Sequence, residues 1–354
     1  MTSRILPTAA ALAVAALALA GCSGGGTPNS SGSAGGPLKI GMVVPLTGPL
    51  SALGTGDQEA AVQAVKDINA AGGINGRQIE LTVVDDKTDP AESVKQFNQL
   101  AADSTYSAML ASSMTSAAQA VSSSITQYKV PTIALSPVDA YADGSNPYAF
   151  TSPPTTKVYA KALVDYWKSE GVKTLAVAYT GTDLYGQNGD KATVSLAKAA
   201  GIDVVLDESY DPSATDFTPL ITKVVAAHPD AFVQWGSGPA PVIITKQIAG
   251  KGVPFYVTGS QASHLWLDPA GSAAEGVIGA TSAAMAADSL PDGPYKDKVM
   301  AVVTPWQAQN KGQNPPEFAY GGASAIQLLA AAVKKAGSTD REKIRTALEG
   351  LEEV

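Results

Sequence analysis

Short runs of Val, Ile and Leu alternate along this chain with longer stretches in which apolar residues recur every three or four positions. The runs read as strands buried on both faces and the longer stretches as helices with one apolar side, so their alternation predicts βαβ units around parallel sheets. Residues 39–45 (KIGMVVP) form the first strand, and residues 58–70 follow as a helix with Ala61, Val65 and Ile68 on one face. Gly72-Gly73-Ile74-Asn75-Gly76-Arg77 ends that helix, its glycines supplying the positive φ such a turn requires. Strands at 79–85, 107–111 and 130–135 then alternate with helices at 90–103 and 115–128, and this first set ends near 150–154. A second set follows: helix 157–170, strand 174–179, helix 185–200, strand 203–208, helix 217–227, strand 231–235, helix 241–250 and strand 254–258. Two similar α/β lobes leave a cleft between them, the usual place for a small ligand.

The pattern is different before residue 37. Arg4 supplies a positive start, and residues 9–20 are almost wholly Ala, Leu and Val, a signal-peptide core too short for the ~20 apolar residues of a spanning helix. The chain's one cysteine, Cys22, follows Leu19-Ala20-Gly21, and these four residues resemble the lipobox of bacterial lipoprotein precursors. Residues 1–21 are therefore read as a lipoprotein signal peptide and Cys22 as the lipidation site, the alternative being an ordinary secretory signal with a chance cysteine. Two or more acyl chains hold a protein at a membrane stably where one does not. Residues 22–36, nearly all Gly, Ser, Thr, Asn and Pro after the cysteine, read as a flexible tether. A single cysteine excludes a disulfide within the chain.

Composition adds little beyond class. The chain is 45% hydrophobic and 16% charged, and the stretch from residue 37 to 354 is long enough for two lobes. A net charge of −8 and a pI near 4.8 argue against a nucleic-acid partner, which favours a basic face.

Specific motifs narrow the class. Ile40-Gly41, Pro45-Leu46-Thr47-Gly48-Pro49, Gly54, residues 67–77 (DINAAGGINGR) and Asp85-Asp86 with Asp89-Pro90 resemble the leucine-binding family of periplasmic binding proteins. Val130-Pro131, Phe150-Thr151-Ser152-Pro153 and Tyr185-Gly186 extend the resemblance over residues 38–354. These proteins are the solute receptors of branched-chain amino acid ABC importers. The resemblance implies a type I periplasmic-binding fold, α/β, with two Rossmann-like lobes joined by a hinge of three crossing segments. The first crossing is expected near 152–155 and the second near 280–284, with a helix at 323–336 returning to lobe one. The third is one that family members carry beyond the equivalent of Val354, where this sequence ends. Lobe one is then residues 37–152 and 283–354, and lobe two residues 153–282.

The family binds the carboxyl end of its ligand where Ser113, Thr115 and Ser116 stand here, with Ser116 matched to its ligand-binding serine. Either Thr115 or Ser116 could equally cap the helix that begins there. After the fourth strand Ser136 can serve the ligand, while Val138 occupies the position of a family hydroxyl. Tyr185 matches the family's cleft tyrosine, with packing at a helix start as the alternative, and Ser237 with Gly238 offers backbone approach. Gln261 stands near where amino-acid binders often place an acid for the ligand ammonium, and a neutral amide is not the charged partner an ammonium prefers. Either the ligand carries no positive group, or another carboxylate such as Asp183 or Asp139 substitutes. Trp235 reads as core, Trp266 as a possible aromatic wall, and Tyr320 as structural.

Catalysis is not expected. The stretch from residue 37 onward holds no G-x-S-x-G elbow, and Gly54-Thr55-Gly56 lacks the third glycine and acid of a dinucleotide loop. His228 and His264 have no second histidine or cysteine close enough in sequence for a metal pair. No metal and no cofactor are expected. The reading is an extracytoplasmic, membrane-anchored solute-binding lipoprotein, working as a monomer. It captures a small amino acid or related organic acid or amide and delivers it to the membrane permease of an ABC importer. The alternative is a ligand-sensing lipoprotein of the same fold without a transporter.

Overall fold

The computed structural model describes residues 36–351; the signal segment, Cys22 and nearly all of the tether lie outside the described residues. The first part of the chain runs β1 (Leu38–Val44), α1 (Ser51–Ala70), β2 (Ile79–Asp85), α2 (Pro90–Ala101), β3 (Tyr106–Ala111), α3 (Thr115–Ala120), α4 (Ser122–Tyr128), β4 (Thr132–Ala134) and β5 (Ala149–Thr151). The second runs α5 (Thr156–Ser169), β6 (Thr174–Thr180), α6 (Leu184–Ala199), β7 (Asp203–Tyr210), α7 (Thr218–Ala226), β8 (Ala231–Trp235), α8 (Ala240–Ile248), β9 (Phe255–Val257), α9 (His264–Ala270) and β10 (Ile278–Gly279). The chain closes with α10 (Pro294–Gln309), α11 (Glu317–Ala336) and α12 (Arg341–Glu349).

The strands form two five-stranded sheets of order β2-β1-β3-β4-β5 and β10-β9-β8-β6-β7. Every pairing between these strands is parallel, with Leu38 opposite Ile79 in the first sheet and Ala178 opposite Gln234 in the second. This is the α/β architecture the alternation predicts. In each sheet the strand order reverses direction next to the first strand, between β1 and β3 and between β6 and β8. A crevice opens at the carboxyl ends of strands at such points.

Strand residues alternate sides, and each side finds its own core. Leu38, Ile40, Met42 and Val44 pack with Ile326, Leu329 and Val333 of α11, while Val43 and Met109 face Phe97, Val121 and Ile125. In the second sheet Leu175, Val177 and Val233 meet Leu163 and Trp167 of α5, while Ala176, Ala178 and Phe232 meet Leu220, Val224 and Ile244. The returning helix α11 lies against α1, and it comes so close that a Cβ at Gly322 would stand 2.2 Å from the carbonyl oxygen of Asp57.

Several boundaries differ from the sequence reading. α1 begins at Ser51 rather than residue 58, and α11 at Glu317 rather than residue 323, because packing of the two helices overrides the weak propensity of their glycines. The helix expected over 115–128 is two helices that meet at Val121, whose ψ of 1° lies outside the helical range. Residues 149–151, read as the approach to a crossing, pair with β4 as an edge strand. The turn after α1 behaves as expected, with φ of +99° at Gly72, +75° at Gly73 and +78° at Gly76.

Candidate functional site

The two acids of the Asp85-Asp86 motif hold the loops that follow β1 and β3. Asp85 accepts from the backbone of Leu46 at 2.8 Å and from the Thr47 hydroxyl at 2.6 Å. Those hydrogen bonds outweigh its slight burial and hold its carboxyl below the ordinary range. Asp86 accepts from Ser112 Oγ at 2.6 Å and from the Thr88 backbone at 3.0 Å. Next along the loop, Ser113 Oγ donates to Asp57 of α1 at 2.6 Å, and Ser136 Oγ donates to the carbonyl of Ser112 at 3.0 Å. Asp57 is fully buried, and burial raises its carboxyl well above the ordinary value despite the Ser113 hydrogen bond. Burial thus favours the protonated form of the acid behind Ser113, a form able to donate as well as accept in a hydrogen bond.

The facing wall comes from the second sheet. Asp183 caps α6, accepting from the Tyr185 backbone at 3.2 Å, and its other oxygen takes the Ser116 hydroxyl of α3 at 2.7 Å. Ser116 Oγ also accepts from Leu184 N at 3.0 Å, so one serine ties the start of α3 to the start of α6 across the cleft. The Tyr185 ring stands edge-on to Trp235 at 5.5 Å, and its hydroxyl meets Thr258 Oγ1 at 2.7 Å. Burial pushes the Tyr185 phenol up to about 12, so it stays protonated at neutral pH.

Glu317 closes the third side. Its carboxylate accepts from the Tyr159 hydroxyl of α5, from Thr281 Oγ1 at 2.9 Å and from Ser282 N at 2.9 Å. Its own N–H donates to the Ala262 carbonyl at 3.1 Å. The returning helix is thereby fastened to the second lobe and to residues 281–282 through one acid. Gly259 leaves the room this arrangement needs, since a Cβ there would stand 2.9 Å from the Tyr159 hydroxyl and 3.3 Å from Glu317 Cγ.

Between these walls lies a cavity of about 50 Å³ lined from both lobes. Of the residues expected to bind ligand, Ser113, Thr115, Ser136, Tyr185 and Ser237 line it. Each of the five follows the carboxyl end of a strand, where the strand-order reversal predicts a ligand. Three others stand elsewhere. Ser116 spends its hydroxyl on the bridge to Asp183. Val138 is fully buried in the core beneath β4, where an apolar side chain belongs. Gln261 is buried, its oxygen accepting from Thr258 within its own turn and its amide donating to the Gly236 carbonyl after β8 at 2.6 Å.

The carboxylates named as substitutes part company as well. Asp183 lines the cavity, whereas Asp139 accepts from Thr156 and Lys157 at the start of α5. Trp235 is core, and Trp266 donates to Thr245 at 3.1 Å beside a separate apolar recess of about 380 Å³. Leu50, Leu53 and Phe318 line both spaces and divide them.

Sequence reading missed Tyr159, Glu317 and Phe318. Glu317 sits just before the helix expected at 323–336, in a stretch (NPPEFAY) that reads as loop, and its meeting with Tyr159 spans 158 positions. The available signal was an acid following a proline pair and opening an apolar helix, a helix-start pattern.

Residues 37–354 match the family model described as periplasmic binding protein. The chain belongs to the periplasmic binding protein family. It is 27% identical over 323 residues to Leu/Ile/Val-binding protein homolog 1 of Brucella abortus, covering 90% of this chain and 83% of that relative. Among solved structures, an extracellular ligand-binding receptor from Rhodopseudomonas palustris HaA2 superposes with a TM-score of 0.79 at 26% identity, covering 88% of each chain. The branched-chain amino acid transporter substrate binding protein LivJ from Streptococcus pneumoniae, in complex with isoleucine, gives a TM-score of 0.75 at 25% identity, covering 88% of this chain and 87% of that one. The resemblance to leucine-binding proteins and the two-lobed fold it implies are thereby borne out. Members of this periplasmic binding protein family bind substrates rather than transform them, and membership implies an extracytoplasmic location. No helix among the described residues is long and apolar enough to cross a membrane.

Proposed function

We propose that this periplasmic binding protein is the solute receptor of an ABC importer, taking a small amino acid or a related organic acid or amide between its lobes and passing it to a membrane permease. The observation that carries the reading is the cavity itself, lined by Ser113, Thr115 and Ser136 on one side and by Tyr185 and Ser237 on the other. A ligand there touches both lobes only when they are together, so its binding energy is what draws the hinge closed. The Leu/Ile/Val-binding names of the relatives support an amino acid as the solute. On this reading lobe one comprises residues 37–152 and 283–354, lobe two residues 153–282, and the receptor works as a monomer. Lipid on Cys22 and the tether over residues 22–36 keep it near its permease and raise its effective concentration there.

The test is a thermal-shift screen of residues 37–354 against amino acids, amides and organic acids. A true ligand at 100 times its dissociation constant stabilises by about 2.7 kcal/mol. A screen in which none of these solutes moves the transition refutes the reading. For the anchor, Cys22→Ala should release the protein from the membrane fraction, and continued membrane retention would rule out lipidation at that residue.

A further inference from the structure

The charge lining the cavity is all of one sign. Glu317 and Asp183 both reach it, and no lysine, arginine or histidine is among the described residues that line it. The two acids are differently placed. Asp183 is half-buried, with one oxygen engaged by Ser116 and the other by the backbone at the start of α6. Its charge already has the positive end of that helix beside it. Glu317 is only 7% exposed and no basic group among the described residues pairs with it. A buried carboxylate without a cation is costly unless something compensates it.

The compensation inside the protein is incomplete. A carboxylate offers about four lone-pair sites. Three donors reach Glu317: Tyr159 at one oxygen, and Thr281 and Ser282 N at the other. One site on the oxygen shared with Tyr159 remains for a further donor, and the residue lies on the cavity.

Resting on the amino-acid reading above, we propose that Glu317 is the group that binds the ligand's ammonium, in place of an acid on the loop that carries Gln261, and that the site therefore selects solutes bearing a positive nitrogen. This removes the choice left open by the neutral amide at Gln261. That amide is occupied by the Gly236 carbonyl after β8, and the counter-charge comes from the returning helix α11. Because Glu317 also holds Tyr159 of the second lobe and Thr281 and Ser282, ligand charge acts on the same group that ties the lobes together.

The experiment compares amino acids with partners that lack either the nitrogen or the carboxylate. Dissociation constants for L-alanine, L-valine, L-leucine, L-isoleucine and L-phenylalanine are measured by calorimetry beside their 2-hydroxy acids and the corresponding amines that lack the carboxylate. The wild-type protein should prefer an ammonium solute over its hydroxy partner by about tenfold or more, the usual weight of a charge-assisted hydrogen bond. Glu317→Gln should bring that ratio to within about threefold, because the difference between charged and neutral acceptors is gone. Asp183→Asn should weaken both members of a pair by one factor and leave the ratio in place, as should Tyr159→Phe. Where Glu317→Gln does not fold, the wild-type ratio together with its persistence in Asp183→Asn decides the matter.

A hydroxy acid bound as tightly as its amino acid overturns the inference while the receptor reading stands. A ratio that collapses in Asp183→Asn and persists in Glu317→Gln also overturns it. Binding of amines with rejection of every amino acid supports ammonium selection and instead refutes the amino-acid reading. A protein that responds to no ammonium-bearing solute refutes the inference.

Discussion

Replacing Ser116 with alanine tests whether the serine acts on the ligand or on the closure of the lobes. The substitution removes a hydrogen bond of 2.7 Å to the Asp183 carboxylate and one of 3.0 Å from Leu184 N, both joining α3 to α6 across the cleft. A hydrogen bond to a charged group is worth about 1.5–3 kcal/mol and a neutral one about 1 kcal/mol. Ser116 and Asp183 are only half-buried, so water partly replaces what is lost and the upper values do not apply. A net of about 1–2 kcal/mol disfavouring the closed state follows, which is about 5- to 30-fold weaker ligand binding. Since Ser116 does not line the cavity, the factor should be the same for every ligand the protein takes. Calorimetry on wild type and Ser116→Ala with two ligands of different side chain measures it. Small-angle X-ray scattering of the ligand-bound forms should show a larger open fraction in the variant. Unchanged affinity would refute the latch, and a loss that depends strongly on which ligand is used would show that Ser116 touches the solute.

Other perturbations follow from burial. Asp57, raised by desolvation, holds its proton in the folded state at pH values where the unfolded chain has released it, so its contribution to stability falls as pH rises above about 4. Asp57→Asn should therefore raise the urea midpoint at pH 8 and change it little at pH 4, and an equal effect at both would contradict the assignment. Asp190 is pushed up to about 7, mainly by burial and then by the charge of Asp207, so the same sign applies between about pH 4 and pH 7. Asp190→Asn should flatten the loss of stability across that window, and an unaltered pH profile would argue against it. In α6, a Cβ at Gly189 would stand 2.1 Å from the ring of Trp235, which is fully buried and donates to Thr193 at 3.0 Å. Overpacking there costs about 1–3 kcal/mol against a helix-propensity gain of about 1 kcal/mol or less, so Gly189→Ala should lower the melting temperature; a rise would show the ring free to shift.

The sequence by itself determined the layers of this protein. Runs such as KIGMVV can be stable only as strands covered on both faces, and the intervening helices have the apolar stripes that cover them. Parallel strands joined by helices place their loops at the carboxyl ends, which is why Ser113, Ser136, Tyr185 and Ser237 could be nominated from local pattern and family motif together. Val138 and Gln261 carried the same kind of local signal, yet whether a residue beside a loop faces the cleft or the core depends on the exact turn.

What only the tertiary structure decided is the pairing of distant groups. Ser116 meets Asp183 across 67 positions, Ser113 meets Asp57 across 56, and Tyr159 meets Glu317 across 158. No periodicity encodes such distances. They arise when two sheets and a returning helix pack, and that packing strips water from an acid whose burial a one-dimensional pattern does not reveal.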